Sequence, residues 1–280
     1  MSSKEKIIPG TPDACASCPA YSSEGLKRLG VKMDESDYVV ALAGNPNTGK
    51  STVFNSLTGL RQHTGNWPGK TVSRAEGAFS LDGAKYKIVD LPGTYSLLAT
   101  SLDEEIARDF ILFGKPDVTI VVVDATRLER NLNLVLQVQE ITNHVIVACN
   151  LMDEAKRHGL VVDTRSLARD LGVPVIPMSA RKNEGVPELL STIAQMAKGQ
   201  IESKPFRVKY ETPQIKHAID EVTEQIHKDY PDIPNPRWVA VRVLDGDAKI
   251  IEALRSGELG DLNRGDTSDR SHQIQVIGHQ

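Results

Sequence analysis

A glycine-rich octapeptide in the first fifth of the chain has the spacing of a phosphate-binding loop. It runs Gly44-Asn45-Pro46-Asn47-Thr48-Gly49-Lys50-Ser51 and lies directly between an apolar stretch and a helical pattern. In this G-x-x-x-x-G-K-[ST] arrangement backbone N–H groups wrap the phosphates, the lysine reaches the β- and γ-phosphates, and the hydroxyl ligates Mg²⁺. We therefore predict that a nucleoside triphosphate binds here, with Lys50 on the phosphates and Ser51 on Mg²⁺. The alternative is an ordinary capped turn.

A second motif, Asp90-Leu91-Pro92-Gly93, closes a predicted strand about 40 residues further along the chain. A carboxylate at that place can reach Mg²⁺ through a water molecule, and the Gly93 N–H can meet the γ-phosphate. A D-x-x-G match is expected about once by chance in a chain of this length. Its weight therefore comes from its order after the phosphate loop and from its place at a strand end.

A third motif, Asn150-Leu151-Met152-Asp153, closes another apolar strand and indicates which base is bound. A carboxylate there can accept hydrogen bonds from the N1–H and the exocyclic amine of guanine, a donor pair that adenine lacks. Ser179-Ala180 follows the next predicted strand, where the Ala180 N–H is expected to contact the guanine carbonyl oxygen. The alternative for Asn150 and Asp153 is a strand-to-helix cap, and the Ser-Ala pair shifts the balance toward guanine.

The loop Arg61–Thr71 lies between the phosphate loop and a predicted hairpin and contains two glycines and a proline. We interpret it as a nucleotide-sensing switch whose threonine moves onto the metal. Thr71 is the predicted threonine and Thr64 is its competitor. The alternative is an ordinary surface loop that carries a stray tryptophan, Trp67.

The elements that must position these motifs follow from hydrophobic periodicity. From Tyr38 onward short β-branched runs alternate with helical patterns, which predicts an α/β fold, a mostly parallel doubly wound sheet with helices on both faces. The pair Asp82-Gly83 predicts a hairpin, so one strand is expected to be reversed. The predicted strands are Tyr38–Ala43, Ser73–Leu81, Ala84–Asp90, Val118–Val123, Val145–Ala148 and Val173–Ile176, and the predicted helices are Lys50–Leu57, Leu102–Phe113, Leu128–Ile141, Thr164–Leu171 and Val186–Met196.

Shifts in composition divide the chain into four parts. We predict a flexible N-terminal arm over residues 1–37, a nucleotide-binding domain over 38–200, a small all-helical domain over 205–260 and a flexible tail over 261–280. The helices of the third part are expected at Thr212–Tyr230, Arg237–Leu244 and Ala248–Arg255. No stretch approaches the ~20 consecutive apolar residues that cross a bilayer. The start of the chain lacks the apolar core of a secretory signal, so the chain is expected to be soluble in the cytosol.

Charge and cysteine content narrow the classes of function. The 33 Lys+Arg and 37 Asp+Glu residues give a formal net charge of −4, which disfavours a general nucleic-acid-binding surface. The three cysteines, an odd number, suggest a reducing compartment. Cys15 and Cys18 form a single C-x-x-C, which is open to three interpretations: a shared metal site, a redox disulfide or two reduced thiols. Cys149, inside an apolar strand, is expected to be a buried small hydrophobe.

The four motifs, in the order phosphate loop, mobile threonine, D-x-x-G and N-x-x-D with Ser-Ala, resemble the Ras-like GTPases. Three longer segments, Gly44–Gly59, Gly65–Val72 and Asp90–Leu97, are similar to the bacterial ferrous iron transport protein B family. The similarity covers about residues 38–200 strongly. More weakly, it covers 205–257, where it implies a spacer domain like a nucleotide-dissociation inhibitor.

This resemblance implies a Ras-like P-loop GTPase that hydrolyses GTP slowly to GDP and phosphate, with Mg²⁺ and K⁺ as cofactors. It implies that Lys50, Thr71 and Gly93 act in catalysis, that Ser51, Thr71 and Asp90 hold Mg²⁺, and that Asn47 holds K⁺. The residues it places on the nucleotide are Gly44, Asn45, Asn47, Thr48, Gly49, Lys50, Ser51, Thr52, Gly69, Thr71, Asp90, Gly93, Asn150, Asp153, Ser179 and Ala180.

The same resemblance implies that the chain regulates Fe²⁺ uptake through a membrane permease portion that it does not itself contain. The expected place is the cytoplasmic face of the bacterial inner membrane. The expected partners are that permease portion, small accessory proteins of the same transport system and further copies of the chain, with no nucleic acid.

One departure from the Ras pattern leaves the reaction open. Thr94 follows the D-x-x-G glycine, where Ras-type enzymes place the glutamine that orients water. A neutral Asn47 oxygen beside the phosphates suggests that K⁺ replaces an arginine finger, although Asn47 could instead hydrogen-bond only within the loop. Two rival functions remain: a binding module without turnover, and a GTPase of ribosome or RNA maturation, which the lack of a basic patch disfavours.

Overall fold

The computed structural model describes residues 26, 29, 36–59, 62–98, 101–207, 212–231, 233 and 235–256. The strands are β1 (Tyr38–Gly44), β2 (Gln62–Asn66), β3 (Ser73–Leu81), β4 (Ala84–Asp90), β5 (Val118–Asp124), β6 (Val145–Asn150) and β7 (Val175–Pro177). The helices are α1 (Lys50–Thr58), α2 (Leu102–Gly114), α3 (Leu128–Ile141), α4 (Met152–Arg157), α5 (Thr164–Leu171), α6 (Val186–Ala197), α7 (Pro213–Asp229), α8 (Pro236–Leu244) and α9 (Ala248–Arg255). A 3₁₀ turn covers Ala180–Lys182.

The strands form a seven-stranded sheet in the order β2-β3-β4-β1-β5-β6-β7. The pairs β1–β4, β1–β5, β5–β6 and β6–β7 are parallel, while β3 runs antiparallel to both β2 and β4. The predicted α/β class with one reversed strand is therefore confirmed. Strands β1 and β5 are apolar along almost their whole length because both faces of a parallel sheet are covered by helices.

The register of the sheet brings the sequence motifs to one edge. Leu42 pairs with Asp90, Gly44 with Val122, and Asp124 with Asn150. The carboxyl ends of β1, β4, β5 and β6 therefore meet where the strand order reverses around β1. In open α/β sheets ligands bind at this kind of crevice.

The strand β2 is the main difference from the expected fold. Gln62–Asn66 was expected to be part of a mobile loop, but it pairs with β3 through registers such as Thr64 with Ala75 and Asn66 with Ser73. Its sequence has no apolar alternation, so periodicity does not indicate a strand. The strand is held by backbone pairing with the longer β3. The loop that remains between β2 and β3 is the short segment 67–72, called here the switch turn.

The helices after the sheet pack against its outer helices. Trp238 and Val239 of α8 and Ile226 of α7 lie in the same buried cluster as Val135 of α3. The Asn235 side chain donates to the carbonyl oxygens of Glu140 and Ile141 at the end of α3. These contacts dock the helical appendage, residues 212–256, onto α2 and α3. The boundary predicted between residues 200 and 205 stays a prediction.

The predicted terminal segments lie largely outside the described residues. Cys15, Cys18 and the tail 261–280 belong to the part that is not described. Of the predicted arm, Leu26, Leu29, Ser36 and Asp37 are described, and Leu26 is fully buried in the core. Among the described helices, none combines the length and the apolar character needed to span a bilayer.

Candidate nucleotide-binding site

The phosphate loop joins β1 to α1 through two left-handed residues. Asn47 has φ 67° and Gly49 has φ 79°, a conformation that asparagine and glycine adopt most readily. Gly49 is the N-cap of α1, and no side chain caps its first N–H groups. These groups and the positive end of the helix dipole form an anion-binding site in front of Lys50 and Ser51.

The loop glycines are required by close contacts with the sheet. A Cβ at Gly44 would lie 2.8 Å from the Val122 carbonyl oxygen, and one at Gly49 would lie 2.5 Å from Nδ2 of Asn150. Gly93 of the D-x-x-G motif lies against Pro46, with 3.5 Å from its built Cβ to the proline ring. The first two motifs are therefore in contact, as their order in the sequence predicts.

Lys50 and Asp90 form an ion pair at the centre of this edge. Burial raises the pKa of the Asp90 carboxyl, and the charge and hydrogen bond of Lys50 act in the opposite direction. The two groups predicted for phosphate and Mg²⁺ thus neutralise each other here. An anionic ligand and a divalent cation would take over both partners, so this donor set fits a metal–phosphate group.

Asn45 is buried, and both of its side-chain amide atoms have no hydrogen-bond partner among the described residues. Its backbone oxygen accepts a 2.9 Å hydrogen bond from the Thr48 hydroxyl, which fixes the shape of the loop. A buried amide without partners costs free energy. Among the predicted phosphate-loop residues, Asn45 therefore has unused hydrogen-bonding groups beside the site.

Asn150 joins the phosphate loop to the segment after β7. Its Nδ2 donates to the Thr48 carbonyl oxygen over 3.0 Å, and its Oδ1 accepts from the Ala180 N–H over 3.0 Å. Ser179 is held in turn by reciprocal backbone hydrogen bonds with Glu184. Because the Ala180 N–H already has an acceptor, its predicted contact with a guanine oxygen would have to be shared with Asn150.

Asp153 lies in the first turn of α4, close to Asn150. The N-cap of α4 is Leu151, with φ 62° and no side-chain cap hydrogen bond, so Asn150 does not act as the helix cap that was its alternative interpretation. Desolvation raises the pKa of Asp153, but the hydrogen bond and charge of Lys182, 3.4 Å away, and nearby backbone N–H groups lower it overall. Asp153 is therefore kept ionised, as an acceptor for a base requires.

Among the described residues, the switch turn makes no hydrogen bond to the phosphate loop. Thr71 is exposed, and its hydroxyl makes no hydrogen bond with any described residue. Two backbone hydrogen bonds hold the turn together: the Trp67 N–H donates to the Val72 oxygen, and the Lys70 N–H donates to the Trp67 oxygen. Thr64 lies on β2, farther from the turn's centre, and is also exposed.

The switch turn is connected instead to the helical appendage. Lys70 is 2.9 Å from Glu105 of α2, and the other oxygen of Glu105 pairs with Lys249 of α9. Hydrogen bonds from Lys249 and Lys70 lower the pKa of Glu105 to about 2, against a smaller opposing effect of burial. Sequence reasoning missed this carboxylate and Lys182, because both act through partners that are distant in the sequence.

The hydroxyl and the N–H of Thr94 are both used in hydrogen bonds within the chain. It is buried, its N–H donates to the Gly44 oxygen over 3.2 Å, and its hydroxyl donates to the Ser96 oxygen over 2.7 Å. These bonds tie the segment after Gly93 to the end of β1. The hydroxyl is thereby used in a local turn and not directed at a reacting water.

The remaining predicted residues fall around the same edge. Ser51 and Thr52 are exposed in the first turn of α1, Asn47 is exposed at the tip of the loop, and Gly69 has φ 66° in the switch turn. Cys149 is buried as expected, and burial, with the charge of Asp124, raises the pKa of its thiol to about 12. It behaves as a core residue.

Two family models match the chain. One is described as ferrous iron transport protein B and matches residues 38–193, and one is described as the FeoB cytosolic helical domain and matches residues 212–274. The Fe(2+) transporter FeoB of Methanocaldococcus jannaschii is 44% identical over 224 residues, 79% of this chain and 33% of that protein. An Fe(2+) transport protein A/Fe(2+) transporter FeoB fusion protein of Porphyromonas gingivalis is 35% identical over 250 residues, 85% of this chain and 30% of that protein. The chain spans about a third of the length of these curated relatives.

Solved structures agree with both the fold and the order of domains. The cytosolic domain of the T. maritima FeoB iron transporter in a GDP form has a TM-score of 0.71 and 36% identity, covering 83% of this chain and 88% of that one. The GMPPNP form of the same domain has a TM-score of 0.69 and 36% identity, with the same coverage. At these identities the likeness extends beyond the fold to the sequence motifs.

Proposed function

The chain belongs to the ferrous iron transport protein B family, and we propose that it binds GTP and hydrolyses it slowly to GDP and phosphate. The observation that carries this proposal is the Asn150 side chain, which connects the Thr48 oxygen of the phosphate loop with the Ala180 N–H. A base held at Asp153 and a phosphate chain held at Lys50 would then belong to one ligand. The GDP and GMPPNP forms of the related T. maritima domain support this interpretation.

We assign roles to the residues at the two ends of that ligand. Asp153 accepts two hydrogen bonds from guanine, and the N–H groups at the start of α1 together with Lys50 hold the phosphates. Ser51, Asp90 and, after a movement of the switch turn, Thr71 would hold Mg²⁺, which supplies charge neutralisation when bound. The Gly93 N–H would meet the terminal phosphate. Asn47 would hold K⁺ beside the phosphates.

The proposed role in the whole protein is to regulate Fe²⁺ uptake through a membrane portion. The relatives are named Fe(2+) transporters, and their remaining two-thirds lies outside the matched region. The route we propose for the signal is the chain Lys70–Glu105–Lys249, which links the switch turn to the helical appendage. The fusion protein of P. gingivalis supports a small transport protein A as an accessory partner.

A binding module without turnover is the second candidate, favoured by the engaged hydroxyl of Thr94. Single-turnover release of phosphate from GTP separates the two, with Lys50→Ala as the control that should abolish binding. We expect slow but measurable phosphate release that requires Mg²⁺. Tight GTP binding without release above the spontaneous rate would leave the binding module as the function.

A further inference from the structure

The switch turn is anchored in the core by its tryptophan. Trp67 is 3% exposed, and its ring lies edge-on to Phe110 of α2, with 5.6 Å between the centroids. Its indole N–H is buried without a hydrogen-bond partner among the described residues. The exposed Thr71 therefore lies only four residues along the chain from the buried Trp67. A tryptophan buried in this way is not the stray surface residue of the alternative interpretation.

Two residues from before the sheet domain lie over the same part of α2. Leu26 is fully buried in the cluster that contains Trp67 and Phe110. At Gly114, the last residue of α2, a Cβ would lie 3.2 Å from Leu26 and 3.3 Å from Leu29. Leu29 also lines a small cleft together with Trp67, Pro68 and Lys70 of the switch turn. Leu26 and Leu29 therefore pack on α2, and Leu29 also lies beside the turn.

Arg74 connects this segment to the tryptophan. Its Nη1 donates to the Leu29 carbonyl oxygen over 3.0 Å, and its guanidinium carbon lies 5.4 Å from the centroid of the Trp67 ring. Its Nε lies 2.9 Å from a carboxylate oxygen of Glu76, two residues further along β3, as an ion pair. A planar guanidinium is suited to stacking on an aromatic face. Trp67 is thus enclosed by Arg74 and Phe110.

We infer that Leu26 and Leu29 form an intramolecular clamp on the switch turn. They pack on the surface formed by α2, Arg74 and Trp67 and hold the turn in the position where Thr71 is exposed. The turn can move toward Lys50 and Ser51 only when the Trp67 packing loosens. This inference deepens the proposed function. It rests on that function only in taking the movement of the turn as a response to bound nucleotide.

The test uses the full chain without nucleotide, in a Trp238→Phe background that leaves Trp67 as its only tryptophan. Hydrogen exchange of the amides of residues 67–72 and acrylamide quenching of Trp67 report how often the turn opens. Leu29→Asp should speed the exchange about tenfold, the factor expected when much of one leucine's burial is lost. Ile215→Asp, at a half-exposed apolar position on α7, is the matched control and should change neither readout.

Arg74→Lys provides a second, milder variant that keeps the charge but removes the planar stack and the bond to Leu29. It should increase quenching of Trp67 with the circular dichroism spectrum unchanged, so the clamp can be judged even if Leu29→Asp does not fold. Unchanged exchange and quenching in a folded clamp variant would overturn the inference. GDP binding is measured separately: faster exchange without any nucleotide binding would uphold the clamp and refute the proposed function.

Discussion

The two ends of the candidate site differ in how far they are assembled. At the base end, Asn150 already joins the Thr48 oxygen to the Ala180 N–H, and Asp153 is kept ionised beside Lys182. At the phosphate end, Lys50 is paired with Asp90 and Thr71 lies exposed in the switch turn. The proposed base end is therefore already assembled by contacts within the chain. The phosphate end needs a rearrangement, and a segment that reorders with the terminal phosphate is what a molecular switch requires.

The strongest test of this contrast is Asn150→Ala, which leaves the Thr48 oxygen and the Ala180 N–H buried without their partner. At about 1–3 kcal/mol for each of the two unsatisfied groups, the free energy of unfolding should fall by about 2–6 kcal/mol. We expect affinity for GDP to fall about 100-fold or more, measured by titration calorimetry.

The control for that variant is Asn131→Ala. Asn131 is also buried, and it makes two hydrogen bonds, with the Asp124 N–H and the Arg127 oxygen, neither of which involves Thr48 or Ala180. It should lower stability by a similar amount while leaving GDP affinity unchanged. A parallel loss of GDP affinity in Asn131→Ala would mean that general stability, and not the Asn150 connection, controls binding.

Asp153→Asn should produce the next largest effect, because it replaces an acceptor of two hydrogen bonds with a group that also donates. We expect GTP affinity to fall about 30-fold and xanthosine triphosphate binding to improve, as charge-assisted hydrogen bonds are worth about 1.5–3 kcal/mol. Competition binding with both nucleotides measures it. Asp163→Asn, which changes the N-cap of α5, should leave the preference unchanged. Equal binding of ATP and GTP by the unmodified chain would contradict the assignment.

Thr71→Ala probes the unassembled end. Because Thr71 is exposed and makes no hydrogen bond in this structure, its removal should leave stability and GDP binding unchanged. Single-turnover hydrolysis of GTP should slow about tenfold through loss of a ligand used only in the loaded state. Thr64→Ala is the paired variant. If it abolishes hydrolysis while Thr71→Ala does not, the wrong threonine was chosen.

Potassium should affect the phosphate end by a smaller factor. We expect hydrolysis about three- to tenfold faster in KCl than in NaCl at equal ionic strength, from charge neutralisation in the reaction. Asn47 has φ 67°, so Asn47→Gly removes the side-chain oxygen without straining the loop. Asn47→Ala would remove the oxygen and also strain the backbone. Stimulation that persists in full in Asn47→Gly would show that this oxygen is not the potassium ligand.

The smallest predicted effect concerns Glu105, whose pKa is lowered to about 2 from 4.5 by Lys249 and Lys70. A carboxyl whose pKa is lowered on folding stabilises the folded chain at any pH above its pKa in the unfolded chain. That stabilisation is lost as the pH falls to its pKa in the folded chain. The docked switch turn and appendage should thus weaken between about pH 4.5 and 2, by at most about 1 kcal/mol for such exposed lysines. Thermal unfolding of the unmodified chain and of Glu105→Gln should differ above pH 5 and converge below pH 2.

The sequence predicted where the glycine loop and Asn150 lie, between β1 and α1 and at the end of β6, because their signals are local. A glycine loop after a β-branched strand, or an acidic residue closing an apolar run, can be recognised within ten residues. Strand β2 could not be predicted, since Gln62–Asn66 is polar and owes its structure to backbone pairing with β3. The burial of Trp67 could not be predicted for the same reason, because its partners Phe110 and Arg74 come from other elements.

Asn235 gives the two bodies of the chain a shared end cap. Its Oδ1 accepts from the Trp238 N–H to begin α8, and its Nδ2 donates to carbonyl oxygens in the last turn of α3. Fraying of the end of α3 therefore removes partners from the residue that begins α8, so local opening at one of these helix ends should favour opening at the other.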